Sequence, residues 1–181
     1  MTADEFYALG DAPEGGKMEL VRGRVVAMSP VGVEHGSVVG NLHIALGLFV
    51  RKRKLGSVLI ETGFRLRRNP DVVRAPDLSF VVAGRMPAAR AERLRYFAGH
   101  PDLAIEVLSP DDSADEIAEK TDEYLAAGAE RVWIVRPRNR TVTVHRPGGD
   151  SHTYSGADIL SSADAAFGEA GFALPLPEIF A

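Results

Sequence analysis

The chain contains no cysteine. Disulfides, zinc–thiolate sites and thiol chemistry are therefore excluded. Long hydrophobic runs are also missing. The cleanest apolar stretch, around Ile44 to Val50, is far short of a bilayer span, so no membrane partner is expected. The beginning, Met1-Thr-Ala-Asp-Glu-Phe6, is acidic and has no basic stretch ahead of an apolar one. It does not look like a secretory signal, and a cytoplasmic location is expected. Repeats, low-complexity tracts and long linkers are absent, and the length of 181 residues suits a single domain over residues 1–181.

Several catalytic signatures are missing as well. The five histidines form no His-Glu-x-x-His, and there is no Gly-x-Ser-x-Gly elbow. Gly15-Gly16-Lys17 hints at a phosphate loop. Met18 stands where such a loop needs Ser or Thr, however, and Asp11 stands where it needs its first glycine. Positive charge is not in excess either. Lys plus Arg number 21 against 25 Asp plus Glu, for a net charge of −4, which argues against coating nucleic acid by bulk charge. Local clusters remain at Arg51-Lys-Arg-Lys54, at Arg65, Arg67 and Arg68, and at Arg90, Arg93 and Arg95. The first suits the end of a helix, where cations meet the dipole.

What is present is an ordinary globular composition, 45% hydrophobic and 25% charged. A short helix or turn is expected within residues 4–18, followed by a Gly-rich loop. A strand over Glu19 to Met28, broken by a turn at Arg22-Gly-Arg24, comes next. Val38, Leu42, Ala45, Leu46 and Phe49 recur at helical spacing and predict a helix over Ser37 to Lys54. Ser57 to Arg68 alternates as a strand, and Asn69-Pro-Asp71 is a turn. Leu78 to Val82 reads as a buried strand, Ala88 to Tyr96 as helix, and Leu103 to Leu108 as a strand apolar on both faces. Ser113-Ala-Asp-Glu116 is a capping box opening a helix that stops at Gly128. Strands follow at Arg131 to Val135, Thr141 to Arg146 and Ser151 to Tyr154, and the apolar tail from Phe172 to Phe180 is expected to pack on the body. This order predicts a mixed α+β fold, a central mixed sheet flanked by helices, with a βαβ-like step from the Leu103 strand to the Arg131 strand.

One residue breaks the apolar pattern. Glu106 sits between Ile105 and Val107 in Leu103-Ala-Ile-Glu-Val-Leu108. Stripping a carboxylate of water there is costly unless a cation or good hydrogen bonds compensate. A second acid, Asp77, opens the run to Val82, and Lys120 follows on the capped helix, sharing a side with Ile117 and Tyr124. Two strand acids and one lysine are the minimum parts of a magnesium-dependent phosphodiester-cleaving site. Blander readings stand beside this one. Asp77 could cap a turn, Lys120 could pair with Asp115 or Glu116 on the surface, and Glu106 could bridge to an arginine. His35 could cap the long helix or approach a site.

Four ordered motifs carry a family resemblance: Pro76-Asp77, Ala104-Ile-Glu-Val-Leu-Ser-Pro110, Lys120-Thr-Asp-Glu-Tyr124, and Gly128-Ala-Glu-Arg-Val-Trp-Ile-Val-Arg-Pro137. Together they resemble the Uma-two family of restriction-endonuclease-like proteins, within the PD-(D/E)XK nuclease superfamily. Glu19-Leu-Val-Arg-Gly-Arg24 with His35, and Asp158 to Phe180, extend the likeness over nearly the whole chain. The resemblance implies a restriction-endonuclease-like sheet with a magnesium or manganese site on it. Asp77 would be the first acid and Glu106 the second, with the Val107 carbonyl a further ligand. Leu108 stands where the general superfamily pattern has its lysine, and Lys120 would supply it from the following helix. Glu19 would add a ligand or a water contact, and His35 would join the site. DNA is the implied substrate and a homodimer the implied assembly. The alternatives are a nucleic-acid-binding or interaction protein that keeps the fold without cutting, and a hydrolase of smaller phosphoesters.

Overall fold

The computed structural model of the protein describes residues 1–10, 16–86 and 95–181. The expected helix at Ala88 to Tyr96 falls mostly outside these residues, as do Arg90, Arg93 and Gly15. The chain opens with helix α1 (Ala3–Ala8) and the hairpin β1 (Lys17–Val21) and β2 (Arg24–Met28), which turns at Arg22-Gly23 as expected. Helix α2 (Val33–Arg53) follows. It starts four residues before the predicted Ser37, because Gly32 serves as N-cap without a side-chain bond. Its buried residues, His35, Val38, Leu42, Leu46 and Val50, form one stripe. By length and composition α2 could cross a membrane, which the search for apolar runs did not anticipate; here that stripe is buried against the protein's own sheet.

The segment expected as one strand from Ser57 to Arg68 is two. Strand β3 (Gly56–Ile60) and β4 (Phe64–Arg67) belong to different sheets. The chain corners between them, with Glu61 at φ 45° and Gly63 set so close to the Tyr7 hydroxyl that a Cβ would collide with it. Alternating apolarity continues through such a corner, so periodicity alone cannot see it. Strand β5 (Val72–Arg74), unread in the sequence, pairs β4 with β1. Strand β6 (Leu78–Val82), a two-residue β7 (Phe97–Ala98) and β8 (Leu103–Val107) come next. Helix α3 (Ala114–Ala127) is capped by the Ser113–Glu116 box and ends at Gly128, φ 112°, as its sequence predicts. Strands β9 (Arg131–Arg136), β10 (Thr141–His145) and β11 (Ser151–Tyr154), the ribbon β12 (Ile159–Ser161) and β13 (Ala173–Pro175), and helix α4 (Leu176–Ile179) complete the chain.

The six-stranded sheet runs β11-β10-β9-β8-β6-β3 and is mixed, with β8 and β9 parallel through α3 and its other pairs antiparallel. This is the expected central sheet. A second sheet, β2-β1-β5-β4-β7, accompanies it. Alternation on β8 sorts the layers. Leu103, Ile105 and Val107 face the main core with α2 and the carboxyl-terminal segment, whereas Ala104 faces the α3 side with Tyr124, Val132 and Ile134. By period two, Glu106 shares the α3 side. The tail packs as expected, with Leu176, Ile179 and Phe180 buried and the Asn41 amide donating to the Ile179 carbonyl at 3.1 Å. Trp133 is fully buried on β9 and donates its indole N–H to the Asp164 carbonyl at 2.6 Å.

Candidate active site

Strand alternation and two sheet contacts gather three acids. Asp77 immediately precedes β6, Glu106 lies on β8 beside it, and Glu19 points inward from β1 of the other sheet. All three are buried, at 7%, 5% and 1% exposure. Buried carboxylates demand partners, and each has them.

Asp77 accepts the Val107 backbone N–H on Oδ2 at 2.8 Å, and the same oxygen meets His35 Nε2 at 3.2 Å. Its Oδ1 meets Lys17 Nζ at 3.3 Å. Burial alone would raise its pKa. The bonds from His35 and Val107 and the charge of Lys17 outweigh burial and hold it down at about 2. Asp77 is therefore more than the cap of a turn.

Glu106 accepts the Tyr124 hydroxyl on Oε1 at 2.8 Å, and its Oε2 lies 3.5 Å from Lys120 Nζ. Burial dominates here and pushes its pKa up, against the pull of Lys120 and Lys17. The phenol of Tyr124 is raised well above its ordinary value by its own burial and by the charge of Glu106. No arginine touches Glu106 among the described residues.

Lys120 reaches inward rather than pairing with Asp115 or Glu116. Its Nζ sits between Glu106 and Glu19, 3.7 Å from Glu19 Oε2. Burial would lower its pKa, but the charges of Glu106 and Glu19 win and raise it, so it is an ammonium. It does not contact Asp77; Lys17 holds that position. Glu19 is fully engaged, with Oε1 accepting the Ala75 N–H at 3.0 Å and Oε2 accepting Arg74 Nη1 at 2.9 Å. Arg74 in turn donates to Glu123 on α3 at 2.7 Å. Glu19 therefore ties β1 and β5 to α3 and places Lys120.

The structure thus brings together Asp77, Glu106, Lys120, Glu19, His35 and Val107. Three further residues belong to the site: Lys17, Arg74 and Tyr124. Lys17 and Glu19 lie two apart on β1 and share a face, a signal available in the sequence. Tyr124 reads there as part of an apolar stripe, and its hydroxyl partner is visible only across to β8.

The donor set suits a hard divalent cation. Asp77 and Glu106 offer oxygen ligands only, and among the described residues no three side chains are arranged so that they alone could hold a metal ion. One or two carboxylates completed by water and phosphate is the habit of magnesium.

Comparison with known proteins follows the same lines. The model of a family described as "Uma2: Putative restriction endonuclease" matches residues 3–176. Nothing among the curated proteins matches. A crystal structure of a "putative nuclease belonging to DUF820" from Anabaena variabilis superposes with a TM-score of 0.83 at 22% identity, covering 99% of this chain and 97% of that one. That structure shares the fold.

Proposed function

Because the chain belongs to the Uma2 family of restriction-endonuclease-like proteins, we propose that it is a magnesium- or manganese-dependent endonuclease acting on DNA. One observation carries this reading: two buried carboxylates on adjoining strands, Asp77 and Glu106, with an ammonium from α3 placed on the second. Asp77, Glu106 and the Val107 carbonyl would hold the ion. When bound, it would polarise the phosphodiester and lower the pKa of a coordinated water.

The chain's own residues supply the rest. The Val107 N–H and His35 fix the Asp77 rotamer, and Tyr124 fixes that of Glu106. Glu19 steadies the Lys120 ammonium beside Glu106. From there Lys120 can orient the attacking water or stabilise charge developing on the phosphoryl oxygens. Cutting both strands of a duplex calls for two sites, so a homodimer is part of this proposal. The surface that favours it is the outer side of α2 and β3. Ile44 and Leu48 are 60% and 67% exposed there, beside a groove of about 720 Å³, and β3 pairs with β6 alone among the described residues. Lys54 precedes β3 and Glu61 follows it, so two β3 strands paired antiparallel would set opposite charges together.

The test is calorimetric titration of Mg²⁺ or Mn²⁺ into the wild type, Asp77→Asn and Glu106→Gln, followed by plasmid cleavage with Lys120→Met as control. Binding lost in both acid variants, and cleavage lost in all three, is the expected result. A second reading, a relative that binds nucleic acid without cutting, is favoured by Lys17 standing on Asp77. Wild-type protein that retains DNA but binds no metal with DNA present would establish it.

A further inference from the structure

This inference rests on the metal-dependent reading above and concerns Lys17. Each of the three buried acids already has a cation: Lys17 on Asp77, Lys120 on Glu106, and Arg74 with Lys120 on Glu19. A divalent ion arriving at Asp77 must find an oxygen. Oδ2 is committed to a backbone N–H and to His35, both held by rigid elements. Among the described residues, Oδ1 meets only the Lys17 ammonium, at 3.3 Å. That contact joins residues 60 positions apart through a flexible four-carbon stem. The Lys17 side chain keeps 14% exposure.

We propose that Lys17 is an exchangeable counter-ion of the metal site. It occupies Oδ1 of Asp77 in the metal-free protein and leaves when a divalent cation binds. The exchange is ionic only: one ammonium–carboxylate contact is replaced by one metal–carboxylate contact, and the ammonium returns to solvent. Lys17 keeps a buried carboxylate from standing unpaired, and it weakens metal binding by competing for the same oxygen.

The experiment is Mn²⁺ titration calorimetry without DNA on the full-length wild type, Lys17→Met, Lys17→Gln and Lys17→Arg. Thermal melting of each with and without Mn²⁺ accompanies it. Removing the charge is expected to tighten Mn²⁺ binding by roughly tenfold or more, and Lys17→Arg to stay near the wild type. Lys17→Met should melt lower than the wild type without metal and recover more on adding Mn²⁺. Lys17→Gln, which keeps an amide donor for Asp77, carries the test if Lys17→Met does not fold. Equal or weaker binding by the uncharged variants overturns the proposal while the metal site stands. No binding by any of the four proteins overturns the proposal, and the metal-dependent reading falls with it only if the wild type also binds no Mn²⁺ with DNA present.

Discussion

Asp77 and Glu106 meet the same burial with opposite results, because one receives a backbone N–H and an imidazole where the other receives a phenol. For Asp77 the sign of the pH effect follows directly. Its pKa falls from 3.8 to about 2, so the folded protein gains stability from its ionisation above about pH 4. That gain, about 2 kcal/mol, is lost as the pH drops toward 2. Denaturant titrations between neutral pH and pH 2 should show this acid limb in the wild type and a flatter one in Asp77→Asn. Tyr124→Phe removes a buried donor to a charged acceptor and should cost about 1–3 kcal/mol, read as a lower melting temperature, with reduced cleavage as Glu106 loses its anchor. Glu106 was legible in the sequence because an acid inside an apolar run has to be explained. Lys120 was legible through helical spacing. Lys17 left a partial signal in its spacing to Glu19, but its contact with Asp77, like those of Arg74 with Glu19 and Glu123, joins distant segments that local pattern does not reveal.

Elements carry the site by their ends and their ties. Helix α3 brings Lys120 and Tyr124, and its first turn depends on the Ser113 hydroxyl accepting the Glu116 N–H at 3.2 Å. Ser113→Ala should cost about 1 kcal/mol by thermal or chemical denaturation. Cleavage should change little, since both site residues lie beyond the first turn. Arg74 has the larger role. It is 4% exposed and joins Glu19 on β1 to Glu123 on α3. Arg74→Ala leaves buried Glu19 with only the more distant Lys120 and takes the cation from half-buried Glu123, and should destabilise by roughly 3–5 kcal/mol, measured the same way. The capping box and Gly128 made α3 readable to within a residue of its ends. Strand β5 was not readable, because it has only three residues, all buried, and one of them is Arg74. The break between β3 and β4 was hidden for a different reason, since a backbone corner leaves no mark on alternation.

At the scale of the whole molecule, the order of strands and helices predicted the mixed α+β fold, and the β8–α3–β9 step predicted its parallel pair. The second sheet was invisible, because strand pairing is decided by contacts between distant segments and not by local pattern. That sheet matters for the candidate site, since it delivers Lys17 to Asp77 and Glu19 to Lys120. The proposed assembly is tested at this scale too. Sedimentation of the wild type should give a dimer, and Leu48→Asp, on the exposed side of α2, should give a folded monomer.

Trp133 has a use that its packing role conceals. It is the chain's one tryptophan, held on β9 opposite Ile105 and next to Ile134, the partner of Glu106 across the strands. Its fluorescence therefore comes from a single dry position adjacent to the acids, on the other side of the same sheet. A blue-shifted emission that survives substitution of Lys17, Asp77 or Lys120 would report that the core is intact. The chain thus carries its own optical control for separating a lost site from a lost fold.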